Sequence, residues 1–75
     1  MHRQIRQGDL VAIANTTTEA AAARRYLVQK CETVDGVTRV EMVCVTAPLM
    51  GMVVTNLDAR KLLFIEHRDY SGPRD

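Results

Sequence analysis

The chain has 75 residues, of which 47% are hydrophobic and only 4% aromatic, with no tryptophan. This length predicts a single domain over residues 1–75, and the shortage of aromatic side chains predicts an aliphatic core. The formal net charge of +1 excludes the strong basic excess that is typical of nucleic-acid-binding domains. No stretch approaches the roughly 20 apolar residues that cross a bilayer, so we expect no membrane association and a cytoplasmic location.

The first part of the chain predicts one strand followed by a long polar loop. After residues 1–7, which we expect to be mobile, Gly8-Asp9 indicates a turn into a strand over residues 10–14. Thr16 and Glu19 then have the spacing of a helix capping box, and four alanines follow. Because a helix of about two turns is marginal on its own, residues 15–25 are expected to form a loop with one or two helical turns. Whether residues 17–25 are helical stays open.

Two strands, over residues 26–32 and 37–46, are predicted to form a hairpin. Asp35-Gly36 between them is typical of a two-residue turn that needs positive φ at both central positions. This turn places Glu32 opposite Arg39 and Lys30 opposite Glu41, so two pairs of opposite charge share one face of the ladder. The other face is the predicted core face, with Gln29 as its one polar exception; its members are Leu27, Gln29, Cys31, Val40, Met42 and Cys44.

The same register separates the two cysteines. Cys31 and Cys44 would lie about 13 Å apart along the ladder, too far for a disulfide, so we expect two buried free thiols. Their spacing is not that of a metal or redox motif. His2 and His67 lie near the chain ends, where we expect them to be solvated, and Asp9 is interpreted as an exposed carboxylate. We therefore predict no catalytic residue, no metal and no cofactor.

The remaining elements are short. Residues 47–51 predict a turn, residues 52–55 a strand, and residues 56–60 a single helical turn with Asn56 or Asp58 as its cap. Residues 61–66 predict the last strand. The polar tail over residues 67–75 is expected to be mobile, which leaves an ordered core over about residues 8–66.

This layout resembles the Src-homology-3-like small β-barrel superfold. Gly8-Asp9-Leu10-Val11 is similar to the common opening of such barrels, and residues 15–25 stand where that fold has its longest loop. Residues 51–65 resemble its fourth strand, short 3₁₀ turn and fifth strand. The resemblance covers residues 8–66, implies a mainly β, five-stranded barrel, and points to no particular family.

The binding modes of that superfold depart from this sequence. Its peptide-binding members present clustered tyrosines and tryptophans, and its methyl-lysine readers need an aromatic cage. Here only Tyr26 could serve. Barrels of this size can be enzymes when an oligomer forms a shared pore, as in plasmid-type dihydrofolate reductases, but no segment here resembles theirs. An enzyme therefore stays a remote alternative.

Two sets of residues are candidates for binding. The apolar set predicts self-association or docking of a protein partner, with ordinary core packing as the alternative; it contains Val43, Val45, Leu49, Met50 and Met52. The basic set predicts contact with anions or nucleic acid, with a solvated rim as the alternative; it contains Arg24, Arg25, Tyr26, Arg60 and Arg3.

These observations favour a small non-catalytic module for protein–protein interaction, of the adaptor or inhibitor type. Very small proteins of this kind are often adaptors or inhibitors, including those of phages and mobile elements. A small nucleic-acid-binding barrel that uses the arginines is the alternative. The sequence leaves the partner and the oligomeric state open, and it indicates no small-molecule substrate.

Overall fold

In the computed structural model, which describes residues 5–68, five antiparallel strands form one sheet. The strands are β1 (Asp9–Ile13), β2 (Tyr26–Val34), β3 (Val37–Cys44), β4 (Val53–Asp58) and β5 (Leu62–His67). One short helix, α1 (Glu19–Ala23), lies between β1 and β2, and a 3₁₀ turn (Ala59–Lys61) precedes β5. The prediction of a mainly β domain with five strands and a short turn before the last one is confirmed.

The strand order in the sheet is β4-β3-β2-β1-β5. The first four strands pair with their neighbours in sequence, and β5 returns to the free side of β1. Because β4 and β5 lie at the two edges, the sheet is not closed within residues 5–68. The structure therefore supports a small antiparallel β domain but not the predicted closed barrel.

The β2–β3 hairpin reverses at the predicted turn. Asp35 and Gly36 have φ values of 55° and 79°, the positive values that this kind of turn requires. Both pairs of opposite charge, Glu32 with Arg39 and Lys30 with Glu41, face each other as predicted. The chemistry of two turn residues therefore determined the pairing of the nearest half of the ladder.

The predicted register is wrong beyond Lys30 because Gln29 is an extra residue in β2. The ladder shifts there, so that Met42 pairs with Val28 instead of Gln29. A shift of one residue moves every following side chain to the other face of a strand. The buried residues of this half of β2 are consequently Tyr26 and Val28, and the prediction that Leu27 and Gln29 face the core is wrong.

The two cysteines differ in their surroundings. Cys44 is buried as predicted, and the shift places it opposite Tyr26 instead of Leu27. Cys31 lies opposite Val40 as predicted, but it is exposed, so the prediction that it is buried is wrong. Both are free thiols.

The core is built mostly from aliphatic side chains, in agreement with the composition. Its buried cluster contains Ile5, Val11, Tyr26, Val28, Val40, Met42, Cys44 and Leu62. Ile5 precedes the predicted ordered core, and His67, which was assigned to the tail, is the last residue of β5. The folded part therefore extends beyond residues 8–66 at both ends.

Side-chain caps set the limits of the two helical elements. Thr18, not the predicted Thr16, caps α1, because its Oγ1 accepts a hydrogen bond from the N–H of Ala21 at 3.1 Å. Asp58 is the cap of the 3₁₀ turn and accepts from the N–H of Arg60 at 2.9 Å. Residues 56–58 accordingly belong to β4 and not to the helical turn predicted for them. Within residues 5–68, neither element is long and apolar enough to span a membrane.

Candidate functional site

The predicted apolar set divides into exposed and partly covered residues. Met50 and Met52 are 66% and 39% exposed. Val43, Val45 and Leu49 are half-buried, and Leu49 packs against the core. Val53, which the sequence analysis did not include, is also exposed and follows Met52 directly. We refer to Met50, Met52 and Val53 as the methionine surface.

The backbone beneath the methionine surface is fixed to the end of β3. The N–H of Gly51 donates to the carbonyl of Cys44 at 2.8 Å, and the N–H of Cys44 donates to the carbonyl of Met52 at 2.8 Å. A third bond, from the N–H of Met52 to the carbonyl of Leu49, closes the turn. Gly51 has a φ of 95°, which favours glycine at this position. Flexible thioether side chains are thus presented from a well-defined backbone, an arrangement suited to an adaptable contact.

A second group of exposed apolar side chains lies on the edge strand β5. Leu63, Phe64 and Ile65 are between 38% and 52% exposed, although they follow one another in a single strand. This group was not among the candidate binding residues predicted from the sequence. The available signal was that the strand is apolar on both faces, which indicates a covered or partnered strand.

Among residues 5–68, the contacts of the basic set do not bring its members together into one site. Arg24 is the C-cap of α1, and the guanidinium of Arg25 donates from Nη1 to the carbonyls of Ala22 and Arg24 at 2.9 and 3.0 Å. Tyr26 is a core residue, so its ring is not presented for base stacking. Arg3 lies outside the described residues.

Arg60 is held by an acidic neighbour. Its Nη2 lies 2.8 Å from Oδ2 of Asp58, and its Nε donates to both carboxylate oxygens at 3.2 Å. These hydrogen bonds from Arg60 lower the pKa of Asp58 to about 2 and raise the pKa of Arg60 itself. A guanidinium whose donors are occupied in this way is less available to a phosphate.

The Arg60–Asp58 pair predicts a pH response that can be measured. Because the pKa of Asp58 is depressed from 3.8 to about 2, the stabilisation from this pair is present above about pH 4 and is lost as pH falls toward 2. We expect Arg60→Gln to return the titration midpoint of the Asp58 carboxyl group toward 3.8. Carboxyl ¹³C NMR measures this midpoint. Arg39→Gln is the matched control and should shift the midpoint much less, because Arg39 acts on Asp58 only through its charge. A titration midpoint near 3.8 for Asp58 in the wild type would contradict the pairing of Asp58 with Arg60.

A buried carboxylate fastens the start of β1 to the end of β5. Asp9 is 0% exposed, contrary to its interpretation as a surface group. Its Oδ1 lies 2.8 Å from Nδ1 of His67, and its Oδ2 accepts from the N–H of Arg6 at 3.0 Å. Next to this pair, the N–H of Arg68 donates to the carbonyl of Gly8 at 2.7 Å. His67 is exposed as expected, but it belongs to β5 and pairs with Asp9, so its assignment to the tail is wrong.

Cys31 lies near this buried carboxylate but is not activated by it. Although Cys31 is exposed as a residue, the partial burial of its sulfur, with a smaller contribution from the negative charge of Asp9, raises the pKa of the thiol. The thiol donates to the carbonyl of Ile5 at 3.5 Å. A nucleophilic cysteine requires the opposite, a depressed pKa and a base in contact, so this geometry favours a structural thiol.

The described residues contain no group of three or more histidine, cysteine, aspartate or glutamate side chains that could hold a metal ion. Comparison with known proteins gives no match to a family model, a curated protein or a solved structure. The fold and its surfaces define an antiparallel β domain with exposed apolar side chains at the turn into the edge strand β4 and along the other edge strand, β5.

Proposed function

We propose that this chain is a small, non-catalytic module of the Src-homology-3-like kind that acts through protein–protein contacts, as an adaptor or inhibitor. The observation that carries this proposal is the exposure of the methionine surface at the β3–β4 turn. The strand order, with β5 returning to β1 after a 3₁₀ turn, supports the relation to that superfold. Two free thiols fit the reducing environment of the cytoplasm.

The methionine surface leaves apolar side-chain area in contact with water. Transferring a methionine or valine side chain fully out of water contributes about 1.5–3 kcal/mol. Met50, Met52 and Val53 all lie within residues 50–53 at the β3–β4 turn, and each leaves apolar area that a partner docked at this turn can cover. Methionine adapts its shape to the surface opposite it, which favours a protein partner.

The electrostatics favour a protein partner over nucleic acid. The chain carries a net charge of +1, and the guanidinium groups of Arg25 and Arg60 already donate to groups of the same chain. Binding to phosphates depends on cations that are free to replace counterions. The methionine surface therefore supports protein binding more strongly than the basic set supports nucleic-acid binding.

The test compares capture by three forms of the full chain in extract of the native host. We expect the wild type to retain a partner that the double variant Met50→Gln/Met52→Gln loses. Val34→Thr is the matched control, since Val34 is 57% exposed at the hairpin and lies outside the methionine surface. With the purified partner, calorimetry should show at least about a tenfold loss of affinity for the double variant, or about 1.4 kcal/mol, and none for the control.

Two outcomes would contradict the proposal. The first is equal retention of the partner by the double variant and the wild type. The second is binding to a single-stranded oligonucleotide at low salt that weakens steeply with salt and is abolished by Arg24→Gln/Arg25→Gln, which would establish the alternative. Light scattering identifies a second copy as the partner if the wild type is a dimer and the double variant a monomer.

A further inference from the structure

The sulfur-containing residues of the described chain differ widely in their access to solvent. Met50 is 66% exposed and Met52 is 39% exposed, whereas Met42 and Cys44 are 0% exposed. A thioether is oxidised at its sulfur atom, so a dissolved oxidant reacts fastest with a sulfur that it can reach from water. Solvent access therefore separates two reactive methionines at the β3–β4 turn from two protected sulfurs within β3.

Cys31 is the remaining sulfur-containing residue within residues 5–68, and it competes with the methionines for an oxidant. Its thiol donates to the carbonyl of Ile5 at 3.5 Å, and its pKa is raised by the partial burial of the sulfur and by the negative charge of Asp9. The thiolate is the reactive form of cysteine, and a raised pKa reduces its share at neutral pH. Cys31 is therefore a weakened competitor, and the methionine surface is left as the accessible target.

The two methionines lie in an uncharged part of the chain. Residues 42–57 contain no aspartate, glutamate, lysine, arginine or histidine. Oxidation to the sulfoxide replaces an apolar thioether with a strongly polar group. The backbone of the turn is held to β3 by hydrogen bonds that join Cys44 to Gly51 and Met52. Because these bonds do not involve the sulfur atoms, oxidation changes the chemistry of the surface and leaves the turn in place.

We propose that Met50 is a site of reversible oxidation by hydrogen peroxide, with Met52 as a slower second site, and that the sulfoxide weakens the protein contact. This inference rests on the function proposed above, because it concerns the same methionine surface. The sulfoxide oxygen prefers water to an apolar partner surface, and burying it there without a hydrogen bond is unfavourable. The variant Met50→Gln/Met52→Gln, which also places polar groups at both positions, is accordingly a permanent analogue of the oxidised chain.

The oxidation step needs no other reactant. The sulfur of Met50 attacks one peroxide oxygen, an S–O bond forms and the O–O bond breaks. The other oxygen leaves as water after it takes up the proton of the transferred oxygen. The sulfur thereby loses the two electrons that the peroxide gains. In the reverse direction a methionine sulfoxide reductase uses two thiols, which become a disulfide while the sulfoxide oxygen is released as water.

The first experiment treats the purified full chain with hydrogen peroxide and follows each methionine by peptide mapping and mass spectrometry. We expect Met50 to be oxidised first and Met52 more slowly. Met42 should react at least about tenfold more slowly than Met50, because a buried sulfur is reached only when the sheet opens locally. Cys31→Ser is the control variant and should leave this order unchanged.

The second experiment uses the partner that the wild type retains from host extract. Peroxide should weaken its binding at least about tenfold, or about 1.4 kcal/mol, and treatment with the reductase and a dithiol should restore it. Met50→Leu/Met52→Leu is the matched variant, because leucine keeps an apolar side chain of similar volume but has no sulfur. It should bind as the untreated wild type does, before and after peroxide. Circular dichroism of each treated chain shows whether its fold is retained.

Three results would overturn the proposal. One is oxidation of Met42 or Cys31 ahead of Met50. Another is unchanged binding by a wild type that carries the sulfoxide at Met50. The third is an equal loss of binding in the leucine variant after peroxide, which would place the effect at another residue. All three leave the capture of a partner by the untreated wild type intact. If the untreated wild type captures no partner, the proposed function fails and the regulation fails with it, while peptide mapping still decides whether Met50 is the oxidised site.

Discussion

Met42→Ala is expected to destabilise the fold by about 3 kcal/mol, which is a large part of the stability of a domain this small. Met42 is 0% exposed and lies in β3, where it pairs with Val28 of β2 and Val54 of β4. Truncation removes apolar contacts to both neighbouring strands and leaves a cavity that the sheet cannot close completely. Chemical denaturation followed by circular dichroism measures the change, and the melting temperature should fall by at least about 10 °C.

The matched control is the same substitution at Met50. Its side chain is 66% exposed, so Met50→Ala should change the free energy of unfolding by no more than about 0.5 kcal/mol. Similar losses at both positions would contradict the burial of Met42 against Val28 and Val54. Similar losses would also contradict the proposal that Met50 contacts a partner, because a side chain that packs in the core cannot contact a partner at the surface.

Local chemistry was sufficient to predict the hairpin near its turn. Asp35 and Gly36 determine the turn through their backbone preferences alone, and the opposite charges of Glu32 and Arg39 fit the resulting register. Both signals act over a few residues. They therefore hold for the described pairs from Val34–Val37 to Lys30–Glu41.

The same reasoning failed beyond Gln29 because β2 is apolar on both faces there. Leu27 and Val28 suit a core position equally well, so hydrophobic alternation cannot show which one faces inward. The polar Gln29 on the predicted core face was the one sign of a conflict. A bulge resolves it by removing Gln29 from the ladder.

Contacts between the chain ends were beyond the reach of the sequence. Asp9 and His67 are separated by 58 positions, and each in isolation resembles a solvated surface residue. Only the return of β5 to β1 makes them partners. The exposure of Leu63 and Ile65 has the same origin, because periodicity predicts an apolar face but not whether another strand covers it.

His67→Ala is expected to lower the free energy of unfolding by about 2 kcal/mol. The substitution removes the imidazole from Oδ1 of Asp9 while the carboxylate stays buried, and a buried charged group that loses a hydrogen-bond partner is destabilising. The N–H of Arg6 still reaches Oδ2, which keeps the expected loss below that of a fully isolated charge. The measurement is again chemical denaturation of the full chain.

Two further variants distinguish this pair from general packing at the end of β5. His67→Asn keeps an N–H donor close to the position of Nδ1 and should recover part of the loss. Glu66→Ala removes an exposed ion pair to Arg68 from the neighbouring position and should cost at most about 0.5 kcal/mol. If His67→Asn is as destabilising as His67→Ala, the imidazole acts through its bulk and not through its hydrogen bond. If Glu66→Ala is as destabilising as both His67 variants, the loss reflects general packing at the end of β5 and not the hydrogen bond between His67 and Asp9.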